Sequence, residues 1–283
     1  ASSETVNFVQ PTASAIAVNR IFDTNGTRIL GHLNANGQVY LINPNGILFG
    51  PGAQVNVGGL VASTLDLNDA SLNSAARTFS GNGMGSVINQ GTINGAYVAL
   101  LGKHVSNQGT ITSPQGAVAL GAGSAATLTF SGSSLVHMQV DQSVLDSQAE
   151  NGGLIRADGG MVVMAAGARD ALLASVVNNA GVIEAHSVEN HDGSITLQGG
   201  AAAGTTRVSG TLDASNSSGK GGTVTVLGNN VQLAPSAQID VSGATGGGVT
   251  YVGGGARGED PSMSNAANTT VDAGAAIHAD ATQ

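Results

Sequence analysis

Residues 89–120 read NQGTINGAYVALLGKHVSNQGTITSPQGAVAL and state the same two phrases twice. Asn-Gln-Gly-Thr-Ile at 89–93 returns at 107–111, and Val-Ala-Leu at 98–100 returns at 118–120. Weaker copies follow along the chain. Asn179-Ala180-Gly181-Val182-Ile183 precedes Gly193-Ser194-Ile195-Thr196-Leu197, and Ser209-Gly210-Thr211-Leu212-Asp213 precedes Gly222-Thr223-Val224-Thr225-Val226. The last pair is Ala237-Gln238-Ile239-Asp240-Val241 with Gly248-Val249-Thr250-Tyr251. Apolar residues alternate at period two within each phrase, which is the pattern of a strand with one buried face. Asn and Gly separate the phrases because both tolerate the positive φ of tight turns. A unit this short cannot enclose a core alone, so successive units must stack as a solenoid. Rungs of about 20 to 30 residues with strands about 4.8 Å apart predict a parallel β-helix of roughly eight to ten coils, about 40 to 50 Å long. Its inward positions are predicted to include Val98, Leu100, Val118, Leu120, Ile195, Leu197, Val224 and Val226.

Composition agrees with a narrow interior. The chain has 283 residues, 41 % hydrophobic but only 3 % aromatic and without tryptophan, so small aliphatic side chains must fill the core. A charged fraction of 10 % beside abundant Val, Ile, Leu and Ala excludes disorder. Net charge is −9, and the nine Lys and Arg are scattered, which argues against nucleic acid as a partner. No apolar run approaches the roughly 18 residues of a membrane helix. The start, Ala1-Ser2-Ser3-Glu4, lacks a signal peptide's basic and apolar regions, so for an exported protein the signal is expected to have been removed already. The absence of cysteine is compatible with secretion.

Several segments break the repeat. Ser131 to Glu150 reads as a hairpin or loop leaving the helix wall, Ala168 to Ser175 as a short helix, and Asp69 to Gly85 as a surface loop. Residues 28–65 read as a meander whose turns are Asn34-Ala35-Asn36-Gly37, Asn43-Pro44-Asn45-Gly46 and Gly50-Pro51-Gly52. Tight hairpins are antiparallel, and an open solenoid end needs a cover. Residues 1–65 are therefore expected to form an antiparallel N-terminal cap and 66–283 the β-helix body of a single domain. The closing Ala276-Ile277-His278 reads as the start of another rung, as in a fragment of a larger protein.

Asn43-Pro44-Asn45-Gly46 has the residue preferences of a type I turn with glycine after it. It also belongs to a wider pattern. Val6-Asn7-Phe8-Val9-Gln10-Pro11, Val18-Asn19-Arg20-Ile21, Asn36 through Ile47 and Ala62-Ser63-Thr64-Leu65-Asp66, in that order, resemble the secretion domain of two-partner-secretion exoproteins. That family includes filamentous-haemagglutinin-like proteins, high-molecular-weight adhesins and haem-haemopexin-binding exoproteins. The likeness extends through residues 168–185 and 248–255. It implies a right-handed parallel β-helix, export through the periplasm to the cell surface or medium, and recognition by the periplasmic domains of a dedicated outer-membrane pore protein. The family motif maps onto Asn43, Pro44, Asn45, Gly46 and Ile47; Asn34, Asn36 and Gly37 precede it in the same uncharged stretch. A second motif of the haemagglutinin branch, Asn-Pro-Asn-Leu, is absent, which moves the chain toward the adhesin and haemopexin-binding branch.

Other chemistries find less support. Glu184, His186, Glu189 and His191 are metal-ligating types, but such residues on an outer strand face are commonly just solvated. Asp213 and Asp240 share a face without the basic partner that a polysaccharide-cleaving site would need. Calcium-binding Gly-Gly-x-Gly-x-Asp repeats are missing, and three scattered Thr-x-Thr triplets make no ice-binding ladder. The expectation is a monomeric, non-enzymatic domain without cofactor that targets a larger exoprotein for secretion and starts its folding. The competing reading is a β-helix that itself binds a host cell, polysaccharide or haemopexin.

Overall fold

The repeated phrases are the walls of successive coils in the computed structural model, which describes residues 3–167, 176–188 and 191–283. The Val-Ala-Leu phrases build sheet I, nine strands that run from Ile16–Arg20 through Gln38–Ile42, Gly59–Ser63, Tyr97–Gly102 and Ala117–Ala122 to Val249–Val252. Segments that include those ending in the Asn of Asn-x-Gly build sheet II, nine strands from Thr27–Ile29 to Asn268–Val271. The Thr-Ile segments build sheet III, ten strands from Thr5–Phe8 to Ala276–His278. Each coil passes from sheet I to II to III, and neighbouring strands within each sheet pair in parallel. The two Asn-Gln-Gly-Thr-Ile copies are direct neighbours, Asn89 beside Asn107 and Ile93 beside Ile111. Among the described residues no helix is long and apolar enough to cross a membrane.

The interior consists of stacked columns of aliphatic side chains. Leu60, Val98, Val118, Val162, Ile195 and Val224 form one column in strand register, and all are fully buried. The eight inward positions expected from alternation are all there, each at 0 % exposure. Burying one such side chain contributes about 1.5 to 3 kcal/mol.

One polar column crosses this interior. Asn89, Asn107, Asn151 and Asn179 are buried at the ends of four successive sheet II strands. Each amide Nδ2 donates to the Oδ1 of the next at 2.8 Å, so the groups satisfy one another as buried amides must. Phe49 lies in register before Asn89 and Val208 after Asn179. Two residues beyond each Asn the chain rounds a corner too tight for any side chain. A Cβ on Gly109 would lie 2.1 Å from the carbonyl oxygen of Gly91.

A second core lies outside the solenoid. Asp66–Leu67, Ala76–Ser80, Ala125–Ser131 and Ser134–Gln142 form an antiparallel sheet. Both of its excursions leave the coil at the corner from sheet I to sheet II and fold back over sheet I. Phe79, Leu128, Phe130, Leu135 and Met138 meet Tyr40, Tyr97, Ala99, Leu101 and Ala119 there. The middle strands of sheet I are thus covered on both faces, which explains the unbroken apolar runs Val39–Ile42 and Tyr97–Leu101 where a half-buried strand would alternate. Arg77 is held in this layer with its guanidinium carbon 4.0 Å from the Phe130 ring centroid, and it donates to the Tyr40 hydroxyl. Burial pushes the Tyr40 and Tyr97 phenols above their ordinary range.

Two expectations change. Residues 28–65 are not an antiparallel meander: Thr27–Ile29, His32–Ala35 and Gln38–Ile42 pair in parallel with Ile47–Phe49, Gln54–Asn56 and Gly59–Ser63. Their Asn-Gly turns bend the chain round a coil corner, so the flanking strands bond to rungs above and below instead of to each other. Antiparallel pairing belongs to the excursions, and the expected hairpin is Ala125–Ser131 with Ser134–Gln142. The expected loop Asp69 to Gly85 contributes a strand, Ala76–Ser80, whose Phe79 enters the second core. The helix expected at 168–175 lies outside the described residues.

Candidate recognition site

Asn43-Pro44-Asn45-Gly46 is the second coil's corner between Gln38–Ile42 and Ile47–Phe49. Asn43 is fully buried. Its Oδ1 accepts from the Asn45 backbone N–H at 2.9 Å, an Asx turn. Its carbonyl accepts from Gly46 N–H at 3.0 Å. Its Nδ2 donates to the Asn25 carbonyl at 3.0 Å and to Thr27 Oγ1 at 2.9 Å. Gly46 sits at φ +111°, which a side chain would strain. Ile47 points into the solenoid at 2 % exposure. Of this motif only Pro44 and Asn45 face solvent, and Asn45 Nδ2 donates to the Asp23 carbonyl at 2.9 Å.

A groove of about 260 Å³ runs beside them, lined in part by Arg20, Ile21, Phe22, Ile42, Pro44 and Asn45. Phe22 is 90 % exposed. Arg20 forms one rim. Its Nε donates to Asp66 at 2.7 Å and its Nη2 to Asp69 at 2.6 Å and to the Leu67 carbonyl at 2.8 Å. The bonds to Asp66 and then Asp69 raise its pKa. Sequence reasoning missed Phe22; its signal was a large aromatic directly after Val18-Asn19-Arg20-Ile21 in a chain with only five phenylalanines.

Asn34, Asn36 and Gly37 occupy a different corner, at the other end of the five-residue strand Gln38–Ile42. Asn36 Nδ2 donates to the Gln10 carbonyl and its Oδ1 accepts the Gln10 N–H, both at 2.7 Å. Gly37 N–H donates to Gln10 Oε1 at 3.0 Å, and Gln10 Nε2 donates to the carbonyls of Ala15 at 2.7 Å and Gln38 at 2.9 Å. Asn34 Nδ2 donates to Asn7 Oδ1 at 3.0 Å. The eight residues therefore form two corners and one buried core position, not one continuous surface.

Glu184, His186 and Asp213 are cross-braced between coils. Glu184 accepts from Arg156 Nε. His186 lies between two carboxylates, Nδ1 at 2.6 Å from Asp158 and Nε2 at 3.1 Å from Asp213. The bond to Asp213 raises the His186 pKa to about 9. Burial alone would raise Asp213, but bonds from His186 and Ser215 outweigh it and bring the carboxyl to about 2. Asp240 stands beside Asp213 in register. His191 bridges to Val188, and Glu189 lies outside the described residues. Among the described residues no group of three or more His, Asp or Glu is arranged to hold a metal.

Comparison with known proteins gives three findings. The family description "TPS secretion domain" matches residues 1–213. Two heme/hemopexin-binding proteins of Haemophilus influenzae are similar: one is 35 % identical over 208 residues, covering 68 % of this chain and 22 % of that protein. The other is 32 % identical over 217 residues, covering 68 % of this chain and 23 % of that protein. The crystal structure of the HMW1 secretion domain from Haemophilus influenzae superposes with a TM-score of 0.86 at 30 % identity, covering 98 % of this chain and 73 % of that one. The chain spans less than a quarter of the length of the curated relatives it matches.

Proposed function

The chain belongs to the TPS secretion-domain family, and from that premise we propose that residues around the second coil address a larger exoprotein to its outer-membrane pore. The exoprotein is of the adhesin and haem-haemopexin-binding kind, as the missing Asn-Pro-Asn-Leu motif suggested. Residues 1–65, within the first coils of the solenoid, serve as the recognition region, and stacking of the coils that follow draws the chain outward as it folds. The domain acts as a monomer and catalyses nothing. Binding of a host ligand such as haemopexin belongs to the longer protein. The supporting observation is the division of labour within Asn43-Pro44-Asn45-Gly46: Asn43 and Gly46 make the corner, whereas Pro44 and Asn45 stand outside it, beside an apolar groove.

That division separates folding from address. Asn43→Ala removes a buried amide with three side-chain partners and is expected to cost about 2 to 3 kcal/mol. Asn45→Ala loses one exposed bond and is expected to cost about 1 kcal/mol or less. Export through the cognate pore, measured beside the unfolding free energy of the purified chain, should fall more for Asn45→Ala than its stability loss accounts for. Asn45→Asp keeps the turn and should export poorly as well. Export that follows stability across the three variants would reduce the motif to a corner.

A further inference from the structure

The side chains of Asn34, Asn36, Asn43 and Asn45 and the N–H of Gly37 reach beyond their own coil to residues 3–29, the first coil, while other main-chain groups of Gly37, Asn43 and Pro44 bond the third coil. Asn34 reaches Asn7; Asn36 and Gly37 reach Gln10; Asn43 reaches Asn25 and Thr27; Asn45 reaches Asp23. The main chain does the same on all three sheets. His32 N–H donates to the Glu4 carbonyl, Gln38 N–H to Ala15 and Gly50 N–H to Ile29, at 2.8 to 2.9 Å. Yet no residue from Ser3 to Leu30 is buried, whereas the second coil contains Leu33 and the buried run Gly37–Asn43. Its charged anchor, Arg20, is bonded to carboxylates that are 60 % and 75 % exposed, and exposed pairs of this kind contribute little. The first coil is therefore joined by a dense set of hydrogen bonds and by partly buried Phe8, Ile16, Val18 and Ile29, without one fully buried side chain, the combination that opens locally at lower cost than the coils behind it.

We propose that residues 3–29 are a detachable strap. They hold the edge of the second coil in the manner of an external ligand, and an extended polypeptide segment of the secretion partner takes their place by strand addition to Gln38–Ile42 and its neighbours. Strap docking and partner binding exclude one another. The side-chain amides of Asn36, Asn43 and Asn45, engaged by the strap in the closed form, become the groups that the incoming segment meets. This inference rests on the reading of the chain as a domain recognised by a secretion partner.

The test locks the strap in the intact chain, which has no natural cysteine. Thr5 and His32 are register partners, as are Arg28 and Leu48, so Thr5→Cys/His32→Cys and Arg28→Cys/Leu48→Cys each place one disulfide between first and second coils. Hydrogen exchange of the unlocked chain is expected to show the amides of Ile21, Thr27, His32, Gln38 and Gly50 exchanging as one set. That set should exchange at least about a hundredfold faster than Gln54 and Gly58, whose acceptors Gly31 and Gly37 lie in the second coil. Gln10→Ala should speed that set about tenfold further and leave Gly58 unchanged, and oxidation of either lock should slow it to the Gly58 rate. Binding of the oxidised locks to the separate periplasmic domains of the cognate pore, a readout that passage through the pore does not affect, should drop at least about tenfold and return on reduction. Export should fall with it, with two independent locks guarding against a folding defect in one. Exchange of the strap together with Gly58, or full binding or full export of both oxidised locks, overturns the inference. Full export of the locks with a specific Asn45→Asp defect refutes the strap and leaves the address standing; full export of both locks and Asn45→Asp refutes both.

Discussion

Ile16–Arg20 and Tyr97–Gly102 are strands of the same sheet, three coils apart, and they differ in almost everything but backbone. Every residue of the second is buried, because the solenoid interior lies on one face and the antiparallel sheet on the other. No residue of the first is. A parallel ladder thus supplies geometry at every level of the rod, but packing varies steeply along it. Regular hydrogen bonding is a poor guide to where such a molecule is strong.

The contrast can be broken most directly in the core. Leu100→Ala removes a fully buried side chain from the doubly covered region and should cost about 2 to 5 kcal/mol in denaturant unfolding. Ile16→Ala, half-exposed in the first coil, should cost about 1 kcal/mol or less. Equal costs would mean that the first coil is as firmly packed as the fourth. A finer comparison sets two asparagine ladders against each other. Asn107→Ala strips partners from the buried amides of both Asn89 and Asn151 and should cost about 2 to 4 kcal/mol. Asn34→Ala, which breaks a ladder bond on the outer surface, should cost about 0.5 kcal/mol. A further effect is electrostatic, in the brace between sixth, seventh and eighth coils. His186 is raised above its ordinary 6.5, so its contribution is fully present below that value and lost as pH climbs through about 9. Asp213 is lowered from 3.8, so its share is present above that value and lost as pH falls through about 2. The melting temperature should therefore decline between pH 6.5 and 9 in the native chain and remain level there in His186→Asn; parallel declines would place the titration elsewhere.

Alternation and recurrence made the solenoid and its inward columns legible, because period two and a fixed repeat leave few other ways to bury Val98, Leu100 and their copies. Strand direction in residues 28–65 was not legible, since an Asn-Gly turn serves a hairpin and a coil corner equally and only the distant pairing partner distinguishes them. The second core was hidden for a related reason. Phe79 and Arg77 sit in a segment with no repeat, and their role depends on contact with Tyr40 and Phe130, far away in the chain. At the candidate site, the motif could be named from the sequence, but not that Asn43 and Ile47 face inward or that Gln10 and Phe22 lie at the two corners.

The buried asparagines occur at separations of 18, 44 and 28 residues along the chain. Loops so unequal cannot measure the distance from one coil to the next. The ladder can, since a coil seated one level out of place would set an apolar side chain where an amide has its amide partner here, leaving a polar group stranded in hydrocarbon. The column behaves as a tally with a stop at each end, and a chain that emerges and folds piece by piece carries within it the means to reject a miscount.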